Sequence, residues 1–441
     1  MLLPPRAVIQ TRAATRSVTL SGKPGEHRGV STERLLSTWG LAFGLCAAAC
    51  GGNGDRNGDA GAPKIHGCLA QVAATYDFVR LVQRTDGSVW RAAMEPAFVR
   101  VEAAAGGFRA SAIAASGSSA YSNAIGCAIV DGGVWCFPLA GPLGGASDLG
   151  AGASADPTSL VPQRVVTDAD AAAPLGDVVQ LSGGINGGGA SFCAVKSDGS
   201  AWCWGYSEKG LLGPVTDEHT DHATQLMLDA TTPLDHVVEV RVGYSASCAR
   251  RDDGTVSCWG DNSYGQLGSM PPALAPNRSD FPVDVALPAP ATQLSKSPGN
   301  TLCAILADTT VECWGRNNYE QTGAAGESDS APPTRVLTAA GGPPLDGVID
   351  LAPDRGMEAM CGNTAKRGLW CWGHAYGADP ARTPTGPYAT PAYAATADVG
   401  TIVAPLTSFG ATNGSLVFVD GQGRLVFGAG AEPTEVQPAC P

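Results

Sequence analysis

The stretch CAVKSDGSAWCWG, Cys193 to Gly205, opens and nearly closes on a cysteine, and the chain writes it again, with changes, several times. Cys193, Val195, Ala201 and Cys203 fall on one face of a two-residue period, with Ala194, Lys196, Ser200 and Trp202 on the other, which is the period of a strand. Both cysteines are centred on Asp198, so Ser197-Asp198-Gly199 reads as a three-residue hairpin loop ending in a glycine that tolerates the left-handed conformation. The two thiols then face each other across the strands.

The same spacing recurs at Cys248 and Cys258, Cys303 and Cys313, and Cys361 and Cys371. In CAIVDGGVWC, Cys127 and Cys136 stand one residue closer, and the loop shrinks to Asp131-Gly132, a favoured two-residue hairpin turn. Loop length and cysteine spacing change together, as cross-strand pairing requires, because a one-residue slip would send the thiols to opposite faces. Zinc is the rival, but it usually takes two cysteines from a tight C-x2-4-C knuckle, which the repeats lack. Five disulfides are therefore expected: 127–136, 193–203, 248–258, 303–313 and 361–371.

Two further copies lack the cysteines: Leu81 and Arg91 hold their places in LVQRTDGSVWRAA, and Val417 and Phe427 in VFVDGQGRLVFGAG. First positions at 81, 127, 193, 248, 303, 361 and 417 make seven copies with a period of mostly about 55 residues, in the range of propellers and solenoids. An apolar strand precedes several hairpins (DVVQLSGG from Asp177, HVVEVRVG from His236, GVIDLAP from Gly347). A Pro-x-x-Val follows others, at Pro162, Pro282, Pro333 and Pro433. Four short strands per repeat make a propeller blade.

CWGDNSYGQLG, Cys258 to Gly268, resembles the signature of the regulator of chromosome condensation (RCC1) repeat: a Trp-Gly, an Asn two residues on, and a Gly-Gln-Leu-Gly. Trp204-Gly205, Trp314-Gly315 and Trp372-Gly373 match its Trp-Gly, while the tails YSEKGLLG, RNNYEQTG and HAYGADP drift from it. The resemblance covers roughly residues 69 to 441 and implies an all-β, seven-bladed RCC1-like propeller, four short strands per blade and circularly closed. Thr309 stands where a turn glycine is expected, and Gly368 sits one place late, so strain is expected at those turns. The exchange-factor member of the family acts on a small nuclear GTPase beside chromatin, and none of these residues supports that role.

The net charge is −13, and the part from Cys50 onward carries 22 basic against 39 acidic side chains. Nucleic acid is an unsuitable partner for such a surface. Five cysteine pairs point to an oxidising compartment, and RLLSTWGLAFGLCAAACGGNGD has the form of an export signal: basic Arg34, an apolar run from Leu35 to Ala49, then small residues. Ala47-Ala48-Ala49-Cys50 reads either as a lipobox, with Cys50 lipidated, or as an ordinary Ala-x-Ala cleavage site. The Gly-rich GGNGDRNGDAGAP favours the tethered lipoprotein. The organisation expected is an extension plus signal over 1–49, with translation starting at Val30, a tether over 50–67 and the propeller over 68–441.

Chemistry-bearing clusters are few. DEHTDH, Asp217 to His222, gathers ligand types but reads as a solvated loop between blade strands. NGDRNGD, Asn53 to Asp59, alternates oxygens like a calcium loop but has Ala60 where the sharp-turn glycine belongs. Trp90, Trp135, Trp202, Trp204, Trp259, Trp314, Trp370 and Trp372 all fall in hairpin second strands, where packing between blades competes with a ligand ring about the axis. No Gly-x-Ser-x-Gly, His-Glu-x-x-His or phosphate loop appears. No catalytic residue, metal site or cofactor is expected.

The expectation is an exported, lipid-anchored monomer of the cell envelope that binds a protein or glycan without catalysis; a periplasmic or secreted form is the alternative address. The resemblance also implies an alternative in which propeller loops cap an enzyme, as in a secreted RCC1-like inhibitor of β-lactamase, and a hydrolase or lyase with a loop-built site is a third. Cys68 and Cys440 are left to pair with each other. Pro433 to Val436 has no following blade, so it is expected to pair back onto the first and bring these two cysteines to one seam.

Overall fold

The computed structural model describes residues 69–374, apart from loop stretches, and beyond them the strand residues 385–391, 406–411, 415–419, 425–428 and 434–435. The chain divides into Met1–Phe43 and Gly44–Pro441, and every described residue belongs to the second unit. The upstream segment, Val30, Cys50, the NGDRNGD stretch, Cys68 and Cys440 all lie outside the described residues.

The described strands form seven four-stranded antiparallel sheets, each made of strands consecutive in sequence. These blades span 69–100, 112–164, 178–225, 237–284, 291–335, 348–391 and 406–435. In each, the apolar segment is the first strand and the hairpin supplies the second and third. First strands of neighbouring blades lie side by side, and Leu406–Ala411 lies against both Val348–Pro353 and Leu69–Ala74.

The hairpins keep the register their spacing demands. Cys193 opposes Cys203, Cys248 opposes Cys258, and Cys127 opposes Cys136 across a turn of Asp131 and Gly132, both at positive φ. All five pairs are bonded, with Cα atoms 4.0 to 4.1 Å apart. Lys196 N–H bonds the Ser200 carbonyl at 2.9 Å, so alternation makes 193/203 a non-hydrogen-bonded pair, where side chains approach closest.

The sulfurs point into the seam with the next blade. Cys193 and Cys203 pack among Val240, Val242 and Trp259 of the fourth blade, and Cys127 and Cys136 among Phe192 and Trp204 of the third. The core is thus a series of layers between blades. Trp204, Trp259, Trp314 and Trp372, each following the second cysteine, are fully buried in these seams; they pack blade on blade and do not form a ring about the axis.

One expectation about closure is corrected. Thr434–Glu435 pairs with Leu425–Gly428 of its own hairpin and not with the first blade. Likewise Gln163–Arg164, Arg278–Asp284 and Ser328–Arg335, which overlap the other Pro-x-x-Val segments, are the outer strands of their own blades. A strand that follows its hairpin closes a far smaller loop than one returning across the molecule, so local pairing is entropically cheaper.

Candidate functional site

Antiparallel order gives every blade two ends. One carries the hairpin turns and the links into the next blade; the other carries the loops that follow the Trp-Gly.

At the hairpin end, an aspartate organises the turn in four blades. Asp198 Oδ1 accepts the Ser200 backbone N–H at 2.9 Å and its hydroxyl at 2.6 Å. Asp86 with Ser88 and Asp308 with Thr310 do the same, and Asp253 accepts the Thr255 N–H. These bonds from the Ser or Thr two residues on hold all four carboxyls below the ordinary aspartate range. The signal was present in TDGS, SDGS, DDGT and ADTT, whose second residue is always Asp. The result is a set of fixed negative charges along this end.

At the Trp-Gly end, the signature residues are structural. Asn262 Oδ1 accepts the Leu267 N–H at 3.0 Å, and Gln266 Oε1 accepts the Tyr264 N–H at 2.7 Å, tying the loop to itself. Asn317 and Gln321 repeat both bonds, and Ser207 stands in for the Asn at Leu212. The indole N–H of Trp259 then donates to the Leu211 carbonyl of the preceding blade at 3.0 Å. Trp314 bonds Gln266 and Trp372 bonds Gln321 in the same way. The glycine of the Trp-Gly is required by close approach: Gly260 has φ of 99°, and a Cβ there would meet the Ser245 carbonyl at 2.7 Å.

The residue after each Trp-Gly is where the repeats differ, and in the fourth, fifth and sixth blades it meets the loop of the preceding blade. Lys209 Nζ lies 3.3 Å from Asp261, Glu320 lies 3.7 Å from His374, and Arg316 lies 5.4 Å from the ring of Tyr264. Between the second and third blades, His219 Nδ1 lies 2.6 Å from Asp148 and its ring 5.0 Å from that of Tyr206. The hydrogen bond to Asp148 raises the imidazole above its usual value. Burial, with Glu208 beside it, pushes the Tyr206 phenol up to about 12, so it stays protonated and donates to Glu208.

DEHTDH is therefore not a loop in its histidine half: His219–Gln225 is the outer strand of the third blade. Pairing to Tyr206 and the reach of Asp148 hold it there; Asp217 lies outside the described residues. No group of three His, Cys, Asp or Glu side chains among the described residues could hold a metal ion.

The first strands carry a third recurring feature. Gln71 accepts the Ile113 N–H at 3.0 Å, Gln180 the Val240 N–H at 3.1 Å, and Glu239 the Leu294 N–H at 3.1 Å. Gln293 donates to Asp350 at 2.9 Å. In each of these blades one polar side chain thus clasps the next first strand. Glu239 is also held by Arg241 and Arg250 at 2.7 and 3.0 Å, and Lys296 by Asp350 at 2.7 Å, burial drawing the lysine down to about 8. The signal was the single polar residue inside each apolar strand, as in VVQL, VVEV and VIDL. Just before it the register slips, leaving Val179, Val238 and Ile349 exposed.

Comparison with known proteins agrees with this architecture. The profile of the regulator of chromosome condensation (RCC1) repeat matches residues 237–266. Human E3 ubiquitin-protein ligase HERC2 is 25% identical over 196 residues, 43% of this chain and 4% of that protein, and its mouse counterpart is 24% identical over the same length. The matched segment thus spans a small part of those relatives. Among solved structures, Prp20p from Saccharomyces cerevisiae superposes with a TM-score of 0.59 at 16% identity, covering 77% of this chain and 81% of that one. Human WBSCR16 superposes with a TM-score of 0.56 at 17% identity, covering 78% and 85%.

Proposed function

Because the chain is an RCC1-like propeller, we propose that it is a non-catalytic binding module, exported and tethered to the cell envelope through Cys50, that grips a protein partner with a loop-bearing end. The observation that carries this reading is the division of labour along the repeat. Trp259, Trp314 and Trp372 keep the same seam bond and Asn262 and Asn317 the same loop bond, whereas the residue after the Trp-Gly changes from Tyr206 to Asp261, Arg316 and His374. A constant frame with a varied rim suits recognition. Prp20p has binding properties toward Gsp1p and histones, which supports a protein ligand over a glycan.

The test is a pull-down from envelope extract with the tagged chain. One stoichiometric protein partner supports the reading; retention only by glycans, or turnover of a substrate, overturns it. Export and anchoring are tested separately, since Cys50→Ser should abolish incorporation of labelled palmitate and detergent-phase partitioning.

A further inference from the structure

Arg316 follows the Trp-Gly of the fifth blade, and its guanidinium lies 5.4 Å from the ring centroid of Tyr264, on the fourth blade, and 5.7 Å from that of Tyr319. Its backbone is fully used: the N–H donates to Asn300 and the carbonyl accepts the Thr301 hydroxyl at 2.7 Å. Its Nε is buried and has no hydrogen-bond partner among the described residues. The corresponding charged positions are satisfied: Asp261 by Lys209 and Ser263, and His374 faces Glu320.

A guanidinium carries five donors and keeps its charge throughout the physiological range. Two aromatic faces supply cation–π attraction but accept none of those hydrogen bonds. A half-buried arginine between two tyrosines, its Nε desolvated and unspent, has the composition of a binding hot spot. We propose that the Tyr264–Arg316–Tyr319 cluster is the anchor point of the Trp-Gly end and takes a carboxylate side chain from a protein partner, an Asp or Glu whose two oxygens meet the terminal Nη–H donors of the guanidinium, beyond the buried Nε. This rests on the binding-module reading and adds to it the place and the chemistry of the contact. The strong negative charge of the chain as a whole does not gather anions at large. Capture here therefore depends on contact geometry and selects a carboxylate presented within a fitting surface.

The experiment uses the full chain labelled with 15N-arginine, titrated with an acetylated hexaglutamate peptide and, separately, with a sulfated disaccharide. Saturable movement of the Arg316 Nε–H resonance by the peptide, with affinity weakened at least tenfold by Arg316→Lys and by Tyr264→Ala while circular dichroism is unchanged, is the expected result. If either variant misfolds, Tyr319→Ala with the same readout replaces it. An unmoved resonance, a response to the disaccharide alone, or equal affinity in Arg316→Lys overturns the proposal. A protein partner captured equally by wild type and Arg316→Lys would leave the module reading standing and remove this site.

Discussion

Thr309 shows what one residue can cost. It occupies the left-handed turn position that Gly199 and Gly254 hold in other blades, with φ of 65°, where a β-branched side chain clashes with its own backbone. Its hydroxyl recovers part of this by accepting the Gly347 N–H at 3.0 Å. Thr309→Gly should stabilise the protein by about 1 kcal/mol, net of that exposed bond, read as a rise in denaturant midpoint at constant slope. Gly368 makes the complementary point: the positive φ has moved with the glycine, to 73° at a position that pairs with Thr364, so the displaced glycine relocates the special conformation and creates no comparable strain.

The blade seam is the element that carries stability, and it is not equally well made everywhere. Trp259 buries its ring and satisfies its N–H on Leu211, whereas Trp204 stacks on Phe192 at 5.7 Å with an indole N–H that finds no acceptor among the described residues. Trp259→Phe removes one of two donors to the buried Leu211 carbonyl, the Ser247 hydroxyl remaining at 2.9 Å, and should cost about 0.5–1.5 kcal/mol more than Trp204→Phe, measured by chemical denaturation of both variants. The second seam also carries a titrating bond. The folded-state value of His219 is raised by Asp148, so its contribution is fully present below about pH 6.5, the unfolded value, and is lost as pH rises through the raised folded value. Denaturant midpoints should fall across that window in the wild type and stay flat there in His219→Asn.

For the whole molecule the question is what holds the first and last blades together. The described last strand closes its own blade, so no exchanged strand among the described residues latches the two, and the covalent link we propose between Cys68 and Cys440 becomes the natural latch. Such a bond would close a loop of more than 300 residues, worth about 5–6 kcal/mol in the chain-entropy model. Non-reducing peptide mapping should show 68 joined to 440 alongside the five hairpin pairs. Cys68→Ser/Cys440→Ser should fold but melt lower and lose terminal blades first to limited proteolysis. A map joining Cys68 to any hairpin cysteine refutes this.

What could be read from the chain was whatever depends on near neighbours. A hairpin's register follows from its loop length, so Cys193 opposite Cys203 and the shorter turn at Asp131 were both legible, and seven copies of one motif were enough to indicate blades. The partners that cross a seam were not. Trp259 meets a carbonyl 48 residues away and His219 a carboxylate 71 residues away, and nothing local specifies either distance. The same holds for Arg316: only the packing of the fourth blade on the fifth brings Tyr264 over it. Local alternation sets which side of a strand a residue faces, but the neighbour it meets there is chosen by how twisted blades stack, and that is a property of the assembled molecule.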